Sequence, residues 1–260
     1  MSSMRSLLST SDGPPLGMFV KVPAPELAEI IAGAGVDFVI VDTEHALLSV
    51  REVYEMTVLY AALGVLPLVR VADHGYGDAQ RYLDAGVAGL LFPHVSNGAE
   101  AKALGRHFLF PPRGTRGMGF ASRAGRWGML PGGRAEYVRF GDQEVLRIAM
   151  VEERESVDDI DGILSAEGID AVFVGPSDLS LSMGESGPAV LAAIDHVIER
   201  AVASSTPVGT VVGSPEEARR RAEQGCDYLL IGNDTGIFAR AVTASHAGFR
   251  DALADVRAAR

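Results

Sequence analysis

Short runs of consecutive apolar residues alternate along the chain with longer stretches whose apolar positions recur three or four apart. A degenerate unit marks the junctions: an amphipathic stretch closes on Gly, an apolar residue follows, and an apolar strand begins. It reads Ala34-Gly-Val-Asp-Phe-Val-Ile-Val-Asp42, Ala85-Gly-Val-Ala-Gly-Leu-Leu-Phe-Pro93, Glu167-Gly-Ile-Asp-Ala-Val-Phe-Val-Gly175 and Gln224-Gly-Cys-Asp-Tyr-Leu-Leu-Ile-Gly232. Each Gly stands where a left-handed cap ends a helix, and each continuous apolar run suits a parallel strand buried on both faces. Eight strands are predicted, near Leu16–Val20, Phe38–Asp42, Leu66–Val71, Gly89–Pro93, Leu146–Glu152, Ala171–Gly175, Val208–Val212 and Tyr228–Gly232. Helices are predicted over Pro25–Gly33, Val50–Leu63, Gly77–Ala85, Ala99–Arg106, Val157–Ala166, Ala189–Ser204, Pro215–Gln224 and Thr235–Arg257. Eight β–α units in 260 residues fit a single-domain α/β protein, a (β/α)8 TIM barrel,. A doubly wound open sheet is the alternative, but no Gly-x-Gly-x-x-Gly follows the first strand.

One interval breaks the rhythm. About 50 residues separate Pro93 from Leu146, far more than one helix with short loops needs,. Within it Arg113, Arg116, Arg123 and Arg126 cluster in Phe110-Pro-Pro-Arg-Gly-Thr-Arg-Gly-Met-Gly-Phe-Ala-Ser-Arg-Ala-Gly-Arg-Trp-Gly128. The expectation is a loop on the functional face whose basic surface attracts an anionic substrate; arginines paired with surface carboxylates are the simpler alternative.

Composition narrows the function classes. Apolar residues at 47% allow a large core and exclude global disorder,. With 23 Lys plus Arg against 34 Asp plus Glu, the net charge of −11 argues against a nucleic-acid partner,. No apolar run is long enough to span a membrane,. Met1–Pro15 reads as a short, polar, flexible N-terminal segment without a signal peptide's apolar stretch,. The single cysteine, Cys226, cannot form an internal disulfide, so the cytoplasm is the expected compartment,.

In a barrel the C-terminal strand ends converge on one mouth, where catalysis belongs. Here they carry Asp42-Thr43-Glu44-His45, Arg70, Glu152-Glu153 and Gly175-Pro176-Ser177-Asp178. Glu152 and Asp178 are two hard oxygen ligands from neighbouring strands, the pattern that with water and a chelating substrate holds Mg²⁺ or Mn²⁺; Asp178 could instead only cap a helix. No Cys cluster or His-x-x-x-His is present to hold zinc,. His45 has acids beside it, and Asp42 or Glu44 could fix its tautomer for general-base work. His74, His107, His196 and His246 read as structural or surface residues, and His94 as a candidate for the pocket rim. Arg70 ends a buried strand and needs an anion there, either an internal carboxylate or a developing oxyanion. Base, metal and oxyanion stabiliser together suit proton abstraction beside a carbonyl and the linked C–C cleavage. Lys21, one residue past the first strand, is the only lysine near these ends, which disfavours imine chemistry,. Gly209–Gly213 and Gly232-Asn-Asp-Thr-Gly236 fall where barrels often bind phosphate, though Asp234 would repel it and glycine also ends strands without a ligand,.

These segments resemble the HpcH/HpaI aldolases, metal-dependent class II pyruvate aldolases. The likeness rests on Phe38-Val-Ile-Val-Asp-Thr-Glu-His45, Leu68-Val-Arg70, Leu83-Asp-Ala-Gly86, Phe110-Pro-Pro-Arg-Gly-Thr-Arg-Gly117, Val151-Glu-Glu-Arg-Glu155 and Val174-Gly-Pro-Ser-Asp-Leu-Ser180. It covers nearly the whole chain from Leu16. The resemblance implies a (β/α)8 barrel assembled as a homohexamer, with the C-terminal helix exchanged between subunits. It implies His45 as base in a dyad with Asp42, Asp84 raising its basicity, and Arg70 stabilising a pyruvate enolate. Glu152 and Asp178 would bind a divalent cation (Mg, Mn or Co), and the backbone around Ser177 and Asp178 the pyruvate carboxylate. The implied reaction is reversible aldol cleavage of a 4-hydroxy-2-oxo acid to pyruvate and an aldehyde, the metal offsetting the enolate charge. Two departures concern the acceptor: Met150 stands where members often have glutamine, and the segment after Met183 is short. The alternatives are a synthase or oxaloacetate decarboxylase using the same enolate, and a silent barrel serving as a binding module. A silent barrel has no physical need for Asp42, His45, Arg70, Glu152 and Asp178 together.

Overall fold

A computed structural model describes residues 3–9 and 13–258. Eight parallel strands, β1 (Leu16–Val20), β2 (Phe38–Asp42), β3 (Leu66–Arg70), β4 (Gly89–Phe92), β5 (Leu146–Val151), β6 (Ala171–Val174), β7 (Val208–Val211) and β8 (Tyr228–Asn233), close in sequence order with β8 against β1. The expected (β/α)8 barrel is therefore what forms. Helices α2 (Pro25–Gly33), α3 (Val50–Ala62), α4 (Tyr76–Ala85), α5 (Gly98–Phe108), α10 (Pro188–Ala203), α11 (Pro215–Glu223) and α12 (Asp234–Ala258) take the predicted places. The one helix expected at Val157–Ala166 is two short ones, α7 (Arg154–Asp158) and α8 (Ile160–Leu164), because Asp159 leaves helical geometry with ψ 30°.

The strands bury both faces, and their alternation divides the core. Phe19, Phe38, Ile40, Leu68, Ile148, Met150, Phe173 and Tyr228 fill the barrel interior. Val20, Val39, Val41, Val69, Ala149, Val151, Val172 and Val174 face the helices. Inside, Tyr228 packs against Phe38 and Phe173 at centroid separations of 6.1 Å. Room for these rings comes from Gly17 and Gly209, where a Cβ would overlap Phe38 and Tyr228. Gly209 thus serves packing rather than a phosphate.

Three helices stand outside the eight predicted spans, one of them the short helix that Asp178 was expected to cap. In the N-terminal segment expected to be flexible, α1 (Met4–Leu8) inserts a fully buried Met4 into the interior cluster, while residues 1, 2 and 10–12 of that segment lie outside the described residues. Helix α6 (Gly133–Gln143) precedes β5, and α9 (Pro176–Met183) follows β6. The arginine-rich stretch is also not where it was expected. Helix α5 first returns the chain to the N-terminal end of the barrel, so the long interval opens far from the mouth. There Arg123 Nη1 donates to Ala85 O at 2.8 Å, and the buried Arg116 guanidinium stacks 4.5 Å over Phe110.

Candidate active site

Strand parity decides which side chains reach the mouth. Continuing each inward series one step past its last apolar member gives Lys21 after Phe19, Asp42 after Ile40, Arg70 after Leu68 and Glu152 after Met150. In-register pairing of β2 with β3 sets Asp42 beside Arg70. A cavity of about 340 Å³ opens above them, lined among others by Lys21, His45, Arg70, Met150, Ser177 and Asp178. A larger cavity of about 490 Å³ at the opposite end is walled by Val65, Leu83, Trp127 and Tyr137; among the described residues Glu144 is its sole acid, so no carboxylate pair converges there.

Arg70 and Asp42 form the centre. Arg70 Nε donates to Asp42 Oδ1 at 3.0 Å and Nη2 to Oδ2 at 2.7 Å, while Nη1 makes an ion pair with Glu44 Oε2 at 2.9 Å. The guanidinium also lies 4.7 Å from the centroid of Phe19. Asp42 Oδ1 further accepts the backbone N–H groups of Glu44 and His45, and Lys21 Nζ stands 3.3 Å from Oδ2. Burial pushes the Asp42 carboxyl up, but the Arg70 hydrogen bonds and charge outweigh it and hold the group below its usual value. Thr43 Oγ1, donating to Arg70 O at 2.7 Å, fixes the end of β2 against β3.

Glu152 follows β5 directly and Asp178 stands in the first turn of α9 after β6, close enough for its charge to act on Glu152. Glu152 is 1% exposed, and burial foremost, with the Asp178 and Glu44 charges adding, pushes its carboxyl up to about 7. Its Oε1 accepts the His94 N–H at 2.8 Å. The chain passes so close at Gly175 that a Cβ there would lie 2.8 Å from Glu152 Oε2. Among the described residues no three His, Cys, Asp or Glu side chains converge as one ligand set. Two carboxylates, one buried and destabilised by the other, fit a divalent cation that completes its shell with oxygens from water or substrate. The first turn of α9 leaves the N–H groups of Ser177 and Asp178 without intrahelical acceptors at the same rim.

The other expected site residues divide. The His45 ring is half exposed at the mouth, with Glu44 Oε2 its nearest acid at 3.9 Å. Asp42 is bonded to the His45 backbone, not the ring, because its lone pairs are taken by Arg70, Lys21 and two N–H groups. Asp84 is not brought to the mouth within this chain. It sits at the far end of α4, accepting from Gln80 Nε2 at 3.0 Å and Tyr137 Oη at 3.3 Å, and burial raises its carboxyl. Asp234 turns inward, Oδ2 accepting the N–H groups of Lys21 and Val22 at 2.9 and 3.0 Å, so it anchors β1 instead of facing a phosphate. His94, held at φ 54°, joins the rim with Nε2 3.1 Å from Glu44 and Nδ1 3.1 Å from Glu153. His74 is structural, its Nδ1 paired with Glu100 at 3.0 Å. The contributions of Glu44 and Lys21 were understated by the sequence reading; the period-two parity of β1 was the available signal for Lys21.

Residues 15–241 match the HpcH/HpaI aldolase/citrate lyase family. The chain is 36% identical to a pyruvate aldolase of Rhizobium etli, covering 90% of this chain and 92% of that one. It is 34% identical to a 4-hydroxy-2-oxo-heptane-1,7-dioate aldolase of Escherichia coli, covering 91% and 90%. The crystal structure of the citrate synthase SbnG superposes with a TM-score of 0.86 at 26% identity, covering 96% of this chain and 98% of that one. The chain belongs to the HpcH/HpaI aldolase/citrate lyase family and is a carbon–carbon lyase of the aldolase class.

Proposed function

We propose that this protein reversibly cleaves a 4-hydroxy-2-oxo acid to pyruvate and an aldehyde. The observation that carries this reading is the pairing, around one cavity, of the Arg70–Asp42 unit with the Glu152 and Asp178 carboxylates. A divalent cation (Mg²⁺, Mn²⁺ or Co²⁺) held by Glu152 and Asp178 would supply Lewis-acid polarisation of the 2-oxo group. His45 at the rim takes the proton from the C4 hydroxyl, directly or through water. The C3–C4 bond breaks, the C4 oxygen becomes the aldehyde carbonyl, and the bonding pair moves toward the 2-oxo oxygen to give the enolate. Arg70 donates to that developing oxyanion, with Asp42 and Glu44 holding the guanidinium in place. The free N–H groups of Ser177 and Asp178 receive the pyruvate carboxylate. Protonation of C3 then yields pyruvate.

Assembly into an oligomer, taken as a hexamer with exchanged C-terminal helices, is supported by α12. Phe238, Val242, Phe249 and Leu253 are about half or more exposed on one face of it, an apolar patch of the kind that marks an interface,. Light scattering on the purified protein tests this, and a monodisperse monomer contradicts it. Among the described residues no helix is long and apolar enough to cross a membrane, and a buried free Cys226 suits the cytoplasm,.

The reaction is tested by following pyruvate release from 4-hydroxy-2-oxopentanoate with chelated and metal-restored protein. Release that needs a divalent cation supports the assignment. Turnover of oxaloacetate alone would favour a decarboxylase or synthase, the reading that the likeness to SbnG supports.

A further inference from the structure

The arginine-rich stretch, which the reaction above leaves without a task, forms part of the cavity at the N-terminal end of the barrel. Val65, Leu83, Val87 and Leu130 give that cavity apolar walls, and its volume of about 490 Å³ suits a small organic molecule,. Arg116 stands on the same wall, 3% exposed. Arg113 finds Glu167 at 3.4 Å, but Arg116 forms no ion pair among the described residues, and its buried Nε and Nη1 have no hydrogen-bond acceptor. The acids around it are engaged elsewhere. Glu144, which lines the cavity, accepts from Ser3 Oγ at 2.8 Å and pairs with Arg139 at 3.5 Å. Asp142 Oδ1 accepts the Phe110 N–H at 2.9 Å, and Asp84 accepts from Gln80 and Tyr137. Burial works against the guanidinium charge, and Tyr137, Asp84 and Asp142 offset that in part. A buried cation with unused donors is costly to keep, so its place beside an apolar cavity needs an acceptor to explain it. Another part of the wall is strained. Arg126 and Trp127 both hold left-handed backbone, at φ 50° and 58°, and the Trp127 ring is 60% exposed beside the cavity. Strain of this kind is found at ligand clamps.

We infer that this cavity binds an amphipathic carboxylate, its apolar body against Val65, Leu83 and Trp127 and its carboxylate on Arg116. A small inorganic anion would leave the apolar walls uncovered, and a neutral hydrocarbon would leave Arg116 without an acceptor. The site lies at the opposite end of the barrel from the mouth and does not depend on the aldolase reading.

Trp127 is the single tryptophan of the chain, so its emission reports on the site directly. The full-length protein is titrated with octanoate, with 1-octanol as the neutral counterpart and acetate as the headgroup alone. Octanoate should shift the emission to the blue and saturate at one molecule per chain in calorimetry. It should bind at least about 10-fold more tightly than octanol, the advantage of a hydrogen bond to a charged group, and acetate should cause no shift. Saturating pyruvate with Mg²⁺ should leave the octanoate affinity unchanged. Arg116→Met should erase the preference for octanoate while octanol still binds. Should that variant fail to fold, Ala61→Phe serves instead: it narrows the cavity from an exposed position on α3 and should weaken both ligands with pyruvate methyl exchange unaltered. Equal affinity for octanoate and octanol, a preference that survives Arg116→Met, wild-type binding in Ala61→Phe, or displacement of octanoate by pyruvate overturns the proposal.

Discussion

Two buried arginines meet carboxylates at opposite ends of the barrel, and they do different things. At the N-terminal end Arg147, 3% exposed, pairs with Asp170 at 2.7 Å and donates to the carbonyls of Gly168, Gly141 and Asp142. Its donors all end on protein, Arg5 closes Asp170 from outside, and β5, β6 and α6 are tied together. At the mouth Arg70 is equally buried, yet its neighbours Lys21, His45 and Asp178 line an open cavity with it. A buried ion pair alone is therefore no sign of function. What marks a site is a pair whose surroundings stay open to a ligand and leave charge, such as that on Glu152, uncompensated by protein.

The largest effect that would sharpen this contrast is Glu152→Gln. It removes one of two ligands, and metal-dependent turnover should fall at least about 100-fold with metal affinity in calorimetry falling alongside; wild-type rates at limiting metal would remove Glu152 from the site. Arg70→Gln should lower kcat by about 100- to 1000-fold, as expected for losing an oxyanion donor. Its unfolding free energy should drop less than that of the bottom-end variant, because Lys21 and two N–H groups still hold Asp42. Arg147→Met should do the reverse, costing about 3–5 kcal/mol in denaturant unfolding by leaving Asp170 to Arg5 and one backbone N–H and stranding the carbonyls of Gly168, Gly141 and Asp142, with kcat per folded molecule kept,. Activity loss without destabilisation in that variant would break the comparison. The smallest effect is one of pH. Because burial raises Glu152, its carboxyl holds a proton below about 7 that a cation must displace,. Metal affinity should fall up to about tenfold per pH unit below 7, with one proton released per ion, and flatten above it; a pH-independent affinity from 5 to 8 contradicts the raised carboxyl.

The strands were the most legible part of the sequence. Each predicted strand matches within one residue, since a doubly buried strand must be a continuous apolar run and Gly marks where the helix before it stops,. The short α1 and the polar α6 carry too few apolar periods to announce themselves, and α9 is announced only by Asp178 as a candidate cap. The arginine-rich stretch was misplaced because loop length does not reveal which end of a barrel a loop occupies; α5 hides the return. Within the site, Asp42, Arg70, Glu152 and Asp178 could be read from strand ends and motifs. The bonding of Asp42 to the His45 backbone, and the remoteness of Asp84, depend on side-chain competition and helix direction, which no spacing encodes.

The central claim is that the mouth makes a pyruvate enolate with help from a divalent cation. Proton NMR of pyruvate in D₂O, with chelator-treated protein before and after adding Mg²⁺, Mn²⁺ or Co²⁺, tests it without knowledge of the acceptor. The account predicts that the methyl signal decays only when metal is present. A methyl signal that persists with all three ions contradicts it.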